Sequence, residues 1–330
     1  MSSGSRPGAG DGALIGLDLG GTKIAAALVG PVGPVGPGGP NGSLGTVLAR
    51  HTRPTPAGSG PDAVLDALAA AAAEVDPDRR ASALGIAAAG VIDPRTGRVT
   101  SATDSIRGWA GTALGTGLAD RTGLPVACDN DVRATAGPEL AALDAEHGSL
   151  LFAAIGTGVG GAVAVDGRML HGAAGIAGHL GHVPSPQAAG LPCTCGATGH
   201  LEVIASGPAI TAHYRRLTGR AAQRLEAVAE RAAQGDADAV HAITTGARAA
   251  GQALGGLANA LGPDRVVVGG GVPRVGALYT DALAAAFAAE LMPPLRGLLP
   301  RAPLLGHDAA VLGAATLTTR LPLHHPGVRP

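Results

Sequence analysis

Aromatic side chains are nearly absent. Two Phe, two Tyr and one Trp make up 2% of the 330 residues. Such poverty argues against base stacking, and a net charge of -1 gives no electrostatic footprint for nucleic acid or an anionic membrane. Only three cysteines occur, too few for a disulfide framework. No apolar run of membrane-spanning length is free of Gly, Pro or charge. Met1 to Gly12 is rich in Ser and Gly and lacks an apolar core, so it reads as a flexible tail and not a signal peptide. Together these absences lead to the expectation of a cytoplasmic protein that binds neither nucleic acid nor membrane. Hydrophobic residues, at 46%, suffice for one large or two medium domains.

The densest chemistry lies between Gly178 and Glu202. It comprises Gly178-His179-Leu180-Gly181-His182, Cys193-Thr194-Cys195-Gly196 and Gly199-His200-Leu201-Glu202. Cys-x-Cys cannot put both thiolates on one helix face, but it suits a tight loop gripping one ion. His182, Cys193, Cys195 and His200 supply the four N/S donors that Zn²⁺ takes. The plainer alternative is a polar loop with two incidental cysteines.

Upstream, Ala13 to Leu19 and Ile24 to Val29 read as strands joined by Gly20-Gly21-Thr22-Lys23. Glycines at such a turn let backbone approach a phosphate, and Thr22 and Lys23 add donors. Asp18, just before the turn, suits Mg²⁺ held through water. An ordinary hairpin is the competing reading. The repeat in Gly30 to Gly42 has too few Gly-Pro triplets for a collagen helix and reads as a hairpin tip. Asp62 to Glu74 and Leu114 to Thr122 read as helices. Trp109, the only Trp, suits either core or the wall of a cleft. A strand at Leu124 to Cys128 leads to Asp129-Asn130-Asp131 and a helix from Val132 to Ala145. One such residue is explained as a helix cap. Three in a row leave carboxylate to spare where α/β sheets bind ligands, so Asp131 is the general-base candidate.

Gly156-Thr157-Gly158-Val159-Gly160-Gly161 matches Gly-x-Gly-x-x-Gly, yet a dinucleotide fingerprint must open a helix. Here Ala162 to Val165 alternates into the two-residue turn Asp166-Gly167, so the glycines join two strands. This second Gly/Thr hairpin resembles the first and suggests duplicated halves, each clamping a nucleotide's phosphates. Asp236 to Ala260 reads as a long helix. A buried strand from Arg265 to Val268 ends in Gly269-Gly270-Gly271, which suits close approach to a nucleotide. Ala302 to Leu305 reads as the last strand, and Ala309 to Thr319 as the final helix.

Taken together, Asp18 to Lys23, Asp129 to Asp131, Gly156 to Gly161, Gly178 to His182, Cys193 to Glu202 and Val266 to Val272 resemble the ROK family of sugar kinases, open reading frame proteins and repressors. They span almost the whole chain in that family's order. The resemblance implies an actin-like ATPase (ribonuclease H-like) α/β fold with two domains around a cleft. The N-terminal domain is expected at 1–127 with the returning helix 309–320, and the C-terminal domain, carrying the zinc loop, at 128–308. The resemblance further implies phosphoryl transfer from ATP with Mg²⁺ to a sugar 6-hydroxyl, a structural Zn²⁺, and a homodimer. On the family pattern Asp131 is the base, Asn130 and Glu202 hold sugar hydroxyls, and His182 both binds zinc and faces the sugar. Asp18, Gly20, Gly21, Thr22, Lys23, Gly156, Thr157, Gly158, Gly160, Gly269, Gly270 and Gly271 would serve the nucleotide. The family's repressors carry an N-terminal helix-turn-helix; about a dozen residues precede the first strand here, so the repressor branch is not the expected one.

Three departures from the family pattern stand out, the second and third of which bear on the substrate. His200 stands where the family has a third zinc Cys, and imidazole is a competent replacement. His179 stands where most of the family's sugar kinases have Glu; neutral His both donates and accepts, whereas a carboxylate only accepts. Ser105 stands where the glucokinases have Asn. The strings Ala177 to His182 and Ile204 to Gly207 are similar to those of bacterial N-acetylmannosamine kinases. That sugar is therefore the expected substrate, with Ser105 and His179 among its contacts. Glucokinase, another hexose or N-acetylhexosamine kinase, and a non-catalytic sugar sensor are the alternatives.

Overall fold

The structure is a computed structural model and describes residues 12–31, 45–143 and 148–321. The expected N-terminal tail, most of the Gly/Pro hairpin tip and most of the C-terminal tail lie outside the described residues. The described chain divides into two compact units, one from residues 12–143 and 305–321, the other from 148–304.

In the first unit the chain runs β1 (Ala13–Leu19), β2 (Lys23–Val29), β3 (Val47–Pro54), α1 (Pro61–Val75), β4 (Ala81–Ala88), β5 (Val91–Asp93), β6 (Arg98–Ser101), α2 (Leu114–Thr122), β7 (Val126–Asn130) and α3 (Asp131–Ala141). Five strands form a sheet in the order β3-β2-β1-β4-β7. β1, β2 and β3 are joined antiparallel, and β1, β4 and β7 run parallel. α1 starts with Pro61, whose missing N–H costs nothing in a first turn. Its Val64, Leu65, Leu68, Ala71, Ala72 and Val75 recur at helical spacing and are buried. They join Leu17, Leu19, Leu84, Ile86 and Trp109 in one apolar core. Trp109 is thus a core residue, and its indole N–H donates to the Ala89 carbonyl at 3.2 Å.

The second unit continues with β8 (Leu150–Ile155), β9 (Val159–Val165), β10 (Arg168–Met169), α4 (Glu202–Ala205), α5 (Gly207–Thr218), α6 (Leu225–Ala233), α7 (Ala237–Leu261), β11 (Arg265–Gly269), α8 (Ala277–Glu290) and β12 (Pro300–Arg301). Its sheet has the order β10-β9-β8-β11-β12. Here too the first three strands in sequence are antiparallel neighbours and the next two are added parallel. The two sheets share one topology, as the duplicated hairpins implied. Asp166 and Gly167 both have positive φ, the conformation a two-residue primed turn requires. α7 is capped by Asp236, which accepts from the Asp238 and Ala239 amides, and it stops at left-handed Gly262.

Two boundaries differ from the sequence expectation. The division expected at 127/128 lies beyond α3, because β7 pairs with β4 from Leu84↔Val126 to Ala88↔Asn130. The last strand is Pro300–Arg301 in place of Ala302 to Leu305; proline at 303 cannot donate to a ladder, so the edge strand ends early.

The chain then returns to the first unit as α9 (Ala309–Leu317). Gly16 and Gly85 are register partners on β1 and β4. A Cβ on Gly16 would lie 1.9 Å from the Val311 carbonyl oxygen, and one on Gly85 would lie 1.8 Å from that of Ala314. The paired glycines therefore let the α9 backbone rest directly on the sheet. Gly85→Ala should lower stability by about 1–3 kcal/mol, the usual cost of overpacking between backbones that cannot retreat. Gly58→Ala is the control, since nothing lies within 4 Å of its added Cβ. Urea unfolding checks the difference.

Candidate functional site

Parallel β1, β4 and β7 end at the same edge of the first sheet, where α/β sheets offer ligand sites. The registers Asp18↔Ala87 and Ala87↔Asp129 bring β1 and β7 level across β4. The turn after β1 is closed by the Gly20 amide donating to the Lys23 carbonyl at 3.0 Å. Thr55, which the sequence did not single out, holds this turn from just beyond the end of β3. Its hydroxyl donates to the Gly20 carbonyl at 2.8 Å and its amide to the Thr22 carbonyl at 3.0 Å. A Cβ on Gly21 would lie 3.3 Å from the Ser105 Cβ, so Ser105 packs on the turn. The Ser105 hydroxyl is 3.0 Å from that of Thr103.

Asp129, Asn130 and Asp131 have three different jobs. Asp129 is fully buried and accepts from Arg133 Nε at 2.8 Å; Arg133 is itself 1% exposed. A buried ion pair of this kind costs desolvation and becomes strongly destabilising if one partner is lost. Asn130 caps α3, its side-chain oxygen accepting from the Val132 and Arg133 amides. Its amide nitrogen donates to the Gly90 carbonyl at 3.0 Å and to Asp131 Oδ1 at 2.7 Å. Both hydrogens and both acceptor sites of the amide are thereby engaged within the chain. Asn130, expected to hold a sugar hydroxyl, also orients Asp131 in this structure. Asp131 Oδ1 also accepts from the Val132 amide at 2.9 Å, so both bonds fall on one carboxylate oxygen.

Electrostatics single out two of these carboxyls. Burial pushes the Asp18 carboxyl from its ordinary 3.8 up to about 6; the Asp131 charge adds to the rise and Lys23 works against it. Burial also raises Asp131, opposed by the hydrogen bonds from Val132 and Asn130 and by the Arg133 charge. Two half-buried carboxylates, one raising the proton affinity of the other, form a site whose negative charge a proton or a divalent cation relieves.

The second sheet repeats the turn. Ile155 faces Val159 across the β8–β9 hairpin, and the Gly156 amide donates to the Gly158 carbonyl at 2.9 Å. Thr157 is exposed at the tip, and Gly160 belongs to β9. Gly269 ends β11, and Gly270, with φ of 97°, lies where a Cβ would meet the Ile155 carbonyl oxygen at 2.2 Å. The two glycine segments thus meet at the ends of neighbouring β8 and β11, a cradle that only glycine permits. Glu202, the first residue of α4, reaches this turn: its Oε2 accepts from the Val159 amide at 2.9 Å.

His182, Cys193, Cys195 and His200 converge. One donor atom from each lies within 4.8 Å of the others. Cys195 Sγ is 3.2 Å from His200 Nδ1, and Cys193 Sγ is 3.7 Å from His182 Nδ1. Tetrahedral zinc, with bonds of about 2.0–2.3 Å, sets its donors roughly 3.3–3.8 Å apart, so this set fits. Burial, reinforced by the neighbouring Cys195 side chain, raises the Cys193 thiol above its ordinary pKa. Two isolated bridges, Pro184↔His200 and Pro192↔Thr198, draw the loop together. The His179 ring stacks against that of His182, centroids 6.3 Å apart.

The raised Asp18 pKa has a consequence for stability. The folded-state value lies above the unfolded one, so the folded chain holds the proton more tightly and loses stability as pH rises through about 6. Asp18→Asn should therefore be more stable than the parent above that pH, by up to about 3 kcal/mol. The gain should fade as pH drops below the ordinary 3.8. Urea unfolding across this range in metal-free buffer checks it.

Comparison with known proteins agrees with this geometry. The ROK family model matches residues 14–320. The chain is 33% identical over 313 residues to an N-acetylmannosamine kinase of Shigella flexneri, covering 92% of this chain and 97% of that protein. Among solved structures it is similar to a ROK hexokinase from Thermus thermophilus, with 32% identity, a TM-score of 0.78, and coverage of 92% of this chain and 97% of the other. A ROK family glucokinase from Streptomyces griseus, solved with glucose and AMPPNP, is 31% identical with a TM-score of 0.75, covering 93% and 99%. The shared topology of the two sheets, the paired glycine turns and a match across nearly the whole chain establish that this protein belongs to the ROK family.

Proposed function

We propose that the protein is an ATP-dependent sugar kinase that phosphorylates the 6-hydroxyl of N-acetylmannosamine. The observation that carries the reaction type is Asp131, a half-buried carboxylate at the start of α3 with its two bonds on Oδ1. Its Oδ2 is the oxygen that accepts the hydroxyl proton as the sugar oxygen bonds to the γ-phosphorus and the bond to ADP breaks. Such a base contributes about 10²–10⁴-fold, and the rest of the catalysis is positioning and charge neutralisation. Mg²⁺, when bound, supplies that neutralisation; the negative charge shared by Asp18 and Asp131 fits it, and Asp18 would hold it through water. Gly20, Gly21, Thr22 and Lys23, with Gly156, Thr157, Gly158, Gly160 and Gly269 to Gly271, would present backbone and side-chain donors to the nucleotide.

On this reading Ser105, His179, His182 and Glu202 contact the sugar. Asn130 reaches a hydroxyl only by exchanging one of its present bonds. His179 supports the 2-acetamido sugar, because neutral imidazole donates to an acetamido carbonyl where a carboxylate would repel it. The identity to the Shigella flexneri N-acetylmannosamine kinase points the same way. A homodimer belongs to the same reading. Glucokinase is the second reading, favoured by the 31% identity to the Streptomyces griseus enzyme.

A coupled ADP-release assay over a sugar panel is the test. N-acetylmannosamine should give the highest kcat/KM, and Asp131→Asn should keep sugar binding while losing about 10²-fold or more in turnover. Preference for glucose would install the second reading, and no turnover on any sugar would remove the kinase.

Zinc held by His182, Cys193, Cys195 and His200 would lock the loop that carries His182 and Glu202. Metal analysis of protein purified without added zinc should find one zinc per chain. His200→Ala should lose it together with thermal stability. A zinc-free, fully stable parent protein would end this assignment.

A further inference from the structure

The sugar reading gives Glu202 one role, yet its carboxylate is committed elsewhere. Oε2 accepts from the Val159 amide at 2.9 Å, at the first residue of β9. A Cβ on Gly158 would lie 2.7 Å from the same oxygen, so that position has no room for a larger residue unless the carboxylate moves. The Glu202 Cβ in turn lies 3.3 Å from where a Cβ on Gly181 would be, in the loop between His179 and His182. Behind it, the Gly207 amide donates to the Gly156 carbonyl at 2.9 Å. The hairpin tip Gly156-Thr157-Gly158 is therefore held from one side by α5 and from the other by Glu202.

We propose that Glu202 is a positioning residue for the Gly156–Gly158 turn, bracing it with Oε2 in the conformation that receives nucleotide phosphate, while Oε1 remains for the sugar. The brace rests on the kinase reading of that turn. A turn of two glycines and a threonine has little stiffness of its own, and phosphate binding needs its amides held in one direction before the ligand arrives. A hydrogen bond to a charged acceptor does this more strongly than one to a neutral group. One side chain would thus serve both substrates through different oxygens.

Two substitutions separate the roles. Gln keeps an oxygen able to accept from Val159 but gives the sugar a donor in place of an acceptor; Ala removes both. ADP binding is measured by calorimetry without sugar, and exchange of the Val159 amide by NMR. E202A should weaken ADP about tenfold and speed that amide's exchange by a similar factor, the size expected for losing a charged hydrogen bond. E202Q should bind ADP within about twofold of the parent and keep the slow exchange, while its kcat/KM for sugar falls about tenfold or more. Parent-like ADP binding and amide exchange in E202A would overturn the brace and leave the kinase standing. Equal loss of ADP binding in E202Q and E202A would overturn it also, because the accepting oxygen would then not be what matters. A parent protein that binds no ADP would overturn the kinase reading and the brace together. Urea unfolding of both variants ensures that the compared proteins are folded.

Discussion

Two half-buried carboxyls, Asp18 and Asp131, are the constraint around which the first unit is arranged. Each is disfavoured as an anion where it sits, and the Asp131 charge adds to the rise at Asp18. Such a pair persists only if the surrounding chain leaves the carboxyls nowhere to go. Asp18 is fixed as the penultimate residue of a strand between two others. Asp131 is fixed by the Asn130 side-chain amide and the Val132 backbone amide, which share its Oδ1. Beneath them the Arg133–Asp129 pair ties the end of β7 to the first turn of α3. Stability is given up at the carboxyls and recovered in the core of β1, β4 and α1 and in the contact of α9 with Gly16 and Gly85. Functional sites commonly hold strain of this sort, supported by the rest of the fold.

The second unit reuses the same sheet for a different purpose. Its hairpin occupies the place of the β1–β2 turn in the strand order, but Ile155 ends the strand where the first unit has Leu19 after Asp18. No carboxylate is therefore carried on the second turn's leading strand. The charge that reaches this turn comes from outside the sheet, from Glu202 on α4. That residue follows directly on His200 and Leu201, so the loop that gathers His182, Cys193, Cys195 and His200 also delivers the carboxylate. The bridges Pro184↔His200 and Pro192↔Thr198 make this loop compact although it contains almost no regular structure. In such a loop backbone hydrogen bonds alone leave the ends free to fray, and a four-donor ion would close them.

Much of this was legible in the residues alone. The duplicated glycine hairpins, the failure of Gly156 to Gly161 as a dinucleotide fingerprint, the primed turn at Asp166-Gly167 and the grouping of His182, Cys193, Cys195 and His200 all follow from local chemistry. Each depends on backbone conformations or donor types that act over a few residues, so spacing suffices to find them. The assignment of Asp131 as the unusual carboxylate of its triplet also came from position, since one cap needs only one residue.

What the residues did not contain was partnership at a distance. That Asp129 pairs with Arg133, that Asn130 spends its whole amide inside the chain, and that Trp109 is core and no cleft wall depend on burial, which only packing decides. The boundary after α3 depends on β7 choosing β4 as its neighbour, and a strand's sequence does not name its partner. Glu202 is the plainest case. Composition and motif determined that a carboxylate follows the metal loop, because loop chemistry is local. Tertiary structure alone decided that one of its oxygens grips the Val159 amide, because that bond joins residues 43 apart in the chain.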